Sequence, residues 1–213
     1  VSRVRQHQNP CNPLIRLIRG SDICIVSTEK QVVNLAHFET PLGVMVACAN
    51  HQGVCLLEFS DRRMLPTEFK SIEKSLNADI VESTNPFFDL LQQELRDYFD
   101  GNLKNFTVPL HLVGTGFQKK VWNELLNIPY GETRSYKQQA LALNNLPAIR
   151  AVAGANGMNK IAIIVPCHRV IGDNGNLTGY GGGLWRKKRL LELEKQHMQP
   201  LAGAVVQRSL FEA

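Results

Sequence analysis

Apolar and polar positions alternate in short blocks over residues 35–60, LAHFETPLGVMVACANHQGVCLLEFS, with two turn signals between three apolar stretches. Thr40-Pro41-Leu42-Gly43 is one turn and Asn50-His51-Gln52-Gly53 the other. The pattern predicts an antiparallel meander of three strands, over roughly 34–39, 43–49 and 54–59. The period then changes. Leu65, Phe69, Ile72 and Leu76 recur at helical spacing and predict a helix over 64–76. Pro86 opens a second helix, with Phe87, Leu90, Leu91, Leu95, Tyr98 and Phe99 on its apolar side and Asp100-Gly101 as its stop. Residues 1–34 carry two Asn-Pro pairs and read as an irregular lead-in.

From about residue 116 the pattern is mostly helical. FQKKVWNELLNI places Phe117, Val121, Leu125 and Ile128 on one face with Trp122 beside them, and Pro129-Tyr130-Gly131 turns the chain. Ser135 stands as the N-cap of SYKQQALAL, NNLP breaks that helix, and AIRAVAGAN begins the next. Two short helices around a tight polar turn make a helix-turn-helix pattern, which on its own is common in proteins that never meet DNA. The second helix is nearly bare: Ala148, Ala151, Ala153, Gly154 and Ala155 leave little bulk around Arg150. Such a helix can approach another helix or a nucleic-acid groove equally well. AIIVPCHRVIG then reads as a buried strand ending in a proline. In GLWRKKRLLELEKQHM, a helical step puts Leu184, Leu190, Leu191, Leu193 and Met198 on one arc, with Glu194 inside it and Lys187 nearby. The predicted class is α+β: an N-terminal α/β unit with a small antiparallel sheet over 35–114, a mostly helical helix-turn-helix domain over 115–197, and a flexible tail over 198–213.

Composition narrows this modestly. The 213 residues are 44% hydrophobic and 20% charged, ordinary for a globular chain, and the net charge of +5 weakly favours a polyanionic partner. Five cysteines (Cys11, Cys24, Cys48, Cys55, Cys167) form no C-x-x-C pair, and their odd number suits a reducing cytoplasm better than a disulfide framework. No Cys/His cluster has zinc spacing, and nothing points to a required cofactor. The first residues lack the apolar segment of a secretory signal, and no apolar run approaches the ~20 residues of a membrane span. A start at Val1 fits a piece of a longer protein.

Cys167 is the reactive candidate. A thiol of ordinary pKa is only about 3% ionised at neutral pH, so a nucleophile needs a cation, a base or dipoles close by. His168 is adjacent, but neighbours in extended chain point to opposite faces, so contact requires a turn after Pro166 or a bridging water. The plainer reading is a buried cysteine with a surface histidine after it. Glu194, on the core side of the last helix, needs a partner, because burying a lone carboxylate is costly. A Cys167–His168–Glu194 relay meets that need, and so does an ion pair with Lys187 or Arg169.

PCHRVIG, SYKQQA, AIRAVAGAN and GYGGGLWRKKRLLELE, in this order, make the chain resemble the O6-alkylguanine-DNA alkyltransferases, bacterial type, over about 35–195 and most densely from 117. The resemblance implies an RNase H-like N-terminal unit and repair of duplex DNA by irreversible, single-turnover transfer of an alkyl group from O6-alkylguanine to Cys167 after base flipping. O4-methylthymine is a further substrate the family resemblance raises. It also implies His168 as general base through a water, Glu194 as the group orienting His168, and Asn159 as hinge between recognition helix and active-site strand. Tyr136 matches the tyrosine that turns out the nucleotide, and Arg150 the finger that fills the vacated place. Ala151 and Gly154 belong to the bare helix that enters the groove. Tyr180 matches the loop closing the pocket, and Lys187 a pocket lysine. Human-type members carry zinc ligands in the N-terminal half, and no matching set occurs here. Neither the sequence nor the family resemblance implies a cofactor, and the expected state is a cytoplasmic monomer.

Beyond the last helix, Gln207 to Phe211 (QRSLF) resembles the Q-x-x-L-F peptides that dock on a sliding clamp, and the alternative is a tail that packs on the domain. The rival reading of the whole chain is a lesion-sensing or transcription-regulatory DNA-binding module without turnover, against which the intact cysteine motif argues. A cysteine hydrolase is a further rival without a supporting motif.

Overall fold

The computed structural model describes residues 30–198, so most of the lead-in and all but the first residue of the tail, including Gln207 to Phe211, lie outside the described residues. Strands β1 (Gln31–Phe38), β2 (Met45–Asn50) and β3 (Gly53–Phe59) form the expected meander. Helix α1 (Leu65–Leu76) follows, with a left-handed C-cap at Asn77. The sheet is mixed, not wholly antiparallel: β4 (Ala78–Glu82) pairs parallel with β1, giving the order β3-β2-β1-β4. β4 is a five-residue outer strand, half exposed, and its partner lies more than 40 residues away, so no local pattern announces it.

Helix α2 (Pro86–Phe99) starts on Asn85, whose side chain accepts from the Phe87 N–H. Helices α3 (Gly116–Leu126) and α4 (Tyr136–Ala142) each begin with a reciprocal capping box, Thr115 with Gln118 and Ser135 with Gln138. α5 (Ile149–Gly157) completes the helix-turn-helix, and α6 (Leu184–Met198) closes the described chain. A short parallel ladder joins β5 (Arg134–Ser135) to β6 (Val170–Ile171).

β2 and β3 are buried on both faces. Val46, Cys48 and Leu56 pack with Leu65 and Ile72 of α1, while Met45, Ala47, Leu57 and Phe59 share one core with Leu91, Trp122, Val165 and Leu190. The N-terminal sheet and the later helices are therefore continuous through their apolar interior. The inward face of α6 differs from the predicted arc: Arg186, Lys187, Leu190 and Glu194 are buried, whereas Leu184 and Met198 are exposed. Its polar groups turn inward because partners await them there.

The apolar run before Cys167 is not a strand. Ile161 makes a single parallel bridge to Leu57 on the outer edge of β3, with Leu57 N–H donating to Lys160 O at 2.8 Å and Ala162 N–H to Leu57 O at 2.7 Å. The chain then coils back, with Val165 N–H on Ile161 O and Ile163 at φ +70°, a conformation β-branched residues adopt only at a cost of order 1–3 kcal/mol. All of 161–165 is buried, and that continuous burial gives loop and strand the same apolar signature.

Candidate active site

The coil delivers Cys167 into a 3-10 turn, Cys167–Arg169, the turn after Pro166 that contact with the histidine requires. Asn159 ties the coil together. Its side-chain oxygen accepts from Ile161 N–H at 3.0 Å, and its amide nitrogen lies 2.8 Å from Val165 O, 3.3 Å from Ile161 O and 3.3 Å from Cys167 Sγ. Two amide hydrogens thus serve three acceptors, one of them the sulfur. Burial pushes the Cys167 thiol up to about 11, opposed by the Asn159 bond and by Arg62 and Lys187. A thiol in that state needs a base.

His168 is fully buried, and its Nε2 is 2.8 Å from Glu194 Oε1. With Nε2–H donating, Nδ1 carries the lone pair, and Nδ1 has no hydrogen-bond partner among the described residues. Burial holds the imidazole pKa below its ordinary value despite the carboxylate, so His168 is neutral at pH 7 and able to take a proton. Glu194 thus has both a histidine and an arginine as partners. Arg169 also binds Glu194, with Nε 3.0 Å from Oε2 and Nη2 3.0 Å from Oε1, and Tyr98 Oη and Gly131 N–H complete its acceptance. Burial alone would raise the Glu194 pKa, but His168 and Arg169 bring it well below the usual carboxylate range. Lys187 goes elsewhere: it donates to the carbonyls of Val170, Thr178 and Gly179, and burial pulls its ammonium down to about 8.

Cys167 opens into a cavity of about 230 Å³ whose walls include Tyr136, Ala153, Asn156, Gly157 and Tyr180. Tyr136, first residue of α4, donates to Thr178 O at 3.2 Å, and Tyr180 Oη is buried without a partner among the described residues. Arg150, Ala151 and Gly154 lie away from the thiol on the exposed face of α5, while Val152, Ala155 and Asn156 face the core. A Cβ at Gly154 or Gly157 would meet nothing within 4 Å, so that face is open to a large partner. Among the described residues, no group of three His, Cys, Asp or Glu is placed to hold a metal ion, and no helix is long and apolar enough to cross a membrane.

Two supports escaped the sequence reading. Gln139 and Asn156 exchange amide hydrogen bonds in the buried seam between α4 and α5. Arg186 binds Asp61, Leu42 O and Gly182 O while stacking on Phe59, which anchors the loop over the pocket to the N-terminal unit. Buried polar pairs such as these look like surface residues in a one-dimensional pattern.

The structure thus sets a thiol in a pocket walled by both helices of a helix-turn-helix, an arrangement that fits a class of protein pairing DNA contact with cysteine chemistry. Family models agree in both halves: the ribonuclease-like domain of 6-O-methylguanine DNA methyltransferase matches residues 23–112, and its DNA binding domain matches 116–196. A methylated-DNA–protein-cysteine methyltransferase of Methanosarcina barkeri is 44% identical over 161 residues, 76% of this chain and 96% of the relative. One of Mycobacterium tuberculosis is 62% identical over 102 residues, 48% of this chain and 62% of that protein. The crystal structure of M. tuberculosis O6-methylguanine methyltransferase superposes with a TM-score of 0.67 at 41% identity, covering 79% of this chain and 96% of that one. The same enzyme in complex with DNA gives a TM-score of 0.66 at 42% identity, covering 78% and 94%. The chain belongs to the methylated-DNA–protein-cysteine methyltransferase family.

Proposed function

We propose that this protein repairs duplex DNA by moving the alkyl group of O6-alkylguanine onto Cys167, once per molecule. The observation that carries the reading is the position of Sγ, which opens into a cavity lined by both helices of the helix-turn-helix. A base within a duplex stack is out of reach of a thiol, so the nucleotide must turn out first, at a cost of a few kcal/mol. Arg150 on the open face of α5 offsets that cost by filling the vacated place, Ala151 and Gly154 let the helix close on the groove, and Tyr136 and Tyr180 receive the base.

In the transfer step His168 Nδ1 takes the thiol proton through one water, with Glu194 fixing the ring and Asn159 donating to the thiolate. Sγ attacks the methyl carbon as the C–O6 bond breaks, and that electron pair leaves with the guanine. The proton lost by the thiol returns to the guanine, so the products are a thioether and an unmodified base. The neutral thioether could lose its methyl only by expelling a thiolate, a poor leaving group, and the reaction ends there. Lys187 holds the strand and loop carbonyls around the pocket in place.

The test is intact mass after mixing with duplex DNA bearing one O6-methylguanine, followed by peptide mapping. One methyl per chain, on Cys167, is expected. Lesion binding with no transfer would instead favour the sensing module. Gly154→Leu should separate fold from DNA contact. Leucine at a helix-interior glycine adds up to about 1 kcal/mol of stability, while its bulk on the open face should weaken DNA binding by roughly tenfold, about 1.4 kcal/mol. Melting and DNA titration read the two effects, and unchanged affinity would remove α5 from the interface.

The finer reading is a cytoplasmic monomer that docks on a sliding clamp through Gln207 to Phe211. Removal of the last seven residues is expected to abolish clamp binding, and equal affinity with and without them ends the idea.

A further inference from the structure

The proposed reaction uses Cys167, Asn159, His168 and Glu194 but leaves a buried ion cluster beside them without a role. The loop between β3 and α1 carries Arg62, only 7% exposed and set between two buried carboxylates. Glu58 pairs with Nη1, and Glu68 Oε1 lies 2.9 Å from Nη2. The guanidinium also reaches out of the N-terminal unit. Nη2 donates to Gly157 O at 2.9 Å and Nη1 to Asn159 O at 3.3 Å. Gly157 is the last residue of α5, where the helix carbonyls present their negative end. Asn159 is the residue whose amide meets Cys167 Sγ. Arg62 forms part of the pocket wall, and a Cβ on Gly181 of the covering loop would overlap its guanidinium.

We infer that Arg62 is a positioning residue for alkyl transfer: braced by Glu58 and Glu68, it pins the carbonyls of Gly157 and Asn159, and through Asn159 it sets Sγ against the alkyl carbon. The inference rests on the proposed roles of Cys167 and Asn159. Four contacts from one planar fork fix direction as well as distance, which a lysine ammonium in the same place would not reproduce. Burial raises the Glu58 pKa to about 8 and raises Glu68 as well, with Arg62 opposing both. The segment that needs pinning is the joint between α5 and the coil of Cys167. There the DNA-facing helix ends and the reacting sulfur begins, and neither belongs to a regular strand that would fix it otherwise.

The experiment is a double-mutant cycle on methyl transfer with wild type, Arg62→Lys, Asn159→Ala and the double variant. Single-turnover rates at saturating lesion DNA report the transfer step, DNA titration reports affinity, and melting reports stability. Arg62→Lys should slow the transfer step roughly 10- to 100-fold, as displacements near 1 Å do, with lesion affinity unchanged. Added to Asn159→Ala it should slow nothing further, since the path is already cut. A lowered Tm with wild-type transfer, or full additivity in the double variant, would make Arg62 a structural tie and overturn the inference. A wild type that puts no methyl on Cys167 refutes the proposed function itself. Wild-type transfer with an equally fast Asn159→Ala overturns the inference while the function stands. Should Arg62→Lys not fold, Glu68→Gln loosens the same guanidinium and takes its place in the cycle, with a smaller slowing and the same non-additivity expected.

Discussion

Cys167→Ser is expected to bind duplex DNA carrying O6-methylguanine as tightly as the wild type and to take no methyl from it. Serine nearly preserves the volume at the pocket floor, and its oxygen can accept the Asn159 amide hydrogen that Sγ accepts in the native protein. What it loses is nucleophilicity. The Cys167 thiol, even pushed up to about 11, is within reach of a histidine base, whereas a hydroxyl holds its proton far more tightly. The other described thiols offer no substitute: Cys48 and Cys55 are buried in the sheet, and burial pushes Cys55 to about 12. Intact mass and fluorescence anisotropy on the same DNA read both halves of the expectation. A methyl on the serine variant, wherever it mapped, would name a different acceptor.

The second large effect belongs to Glu194→Gln. This carboxylate is fully buried and accepts from Tyr98, Gly131, His168 and Arg169. Glutamine keeps the shape and removes the charge, leaving the Arg169 guanidinium buried without its counter-ion. Breaking one side of such a pair costs about 3–5 kcal/mol, or roughly 10 °C in Tm for a protein of this size. Acid should reveal the same interaction. The folded pKa of Glu194 is depressed, so its contribution is complete above the ordinary carboxylate value of 4.5 and fades as pH falls from there toward the depressed value. His168, also depressed, begins to favour the unfolded chain once pH drops below 6.5. Melting curves from pH 7 to pH 3 should show the wild-type advantage over Glu194→Gln shrinking with acidity. A constant gap would mean that packing, not charge, sets the difference.

Much of this architecture is written locally. Ser135 announces one helix start and Pro86 another, and the bare face of α5 is visible in its alanines and glycines. The inward position of Glu194 follows from helical spacing alone. What the pattern hid depends on distant partners. β4 is defined by β1, not by its own five residues. A continuous apolar run fits a buried strand and a buried coil equally, and nothing in Ile163 foretells its positive φ. The Glu194 partner stayed open between His168, Lys187 and Arg169 because a one-dimensional reading places three candidates near it and only packing chooses. Arg62 was invisible for the opposite reason, since a charged residue in a turn reads as solvated surface.

The pairing of 160–162 with β3 does more than hold the nucleophile. β3 is the outer strand of the sheet, and Leu57 has its N–H and C=O satisfied by Lys160 and Ala162. A methyl on Cys167 adds bulk at the end of that same coil. Any shift that lifts the coil from Leu57 leaves an apolar strand edge open, and open edges recruit other chains and proteases. A methylated molecule whose coil had lifted from Leu57 would differ from the fresh one in the exposure of that edge.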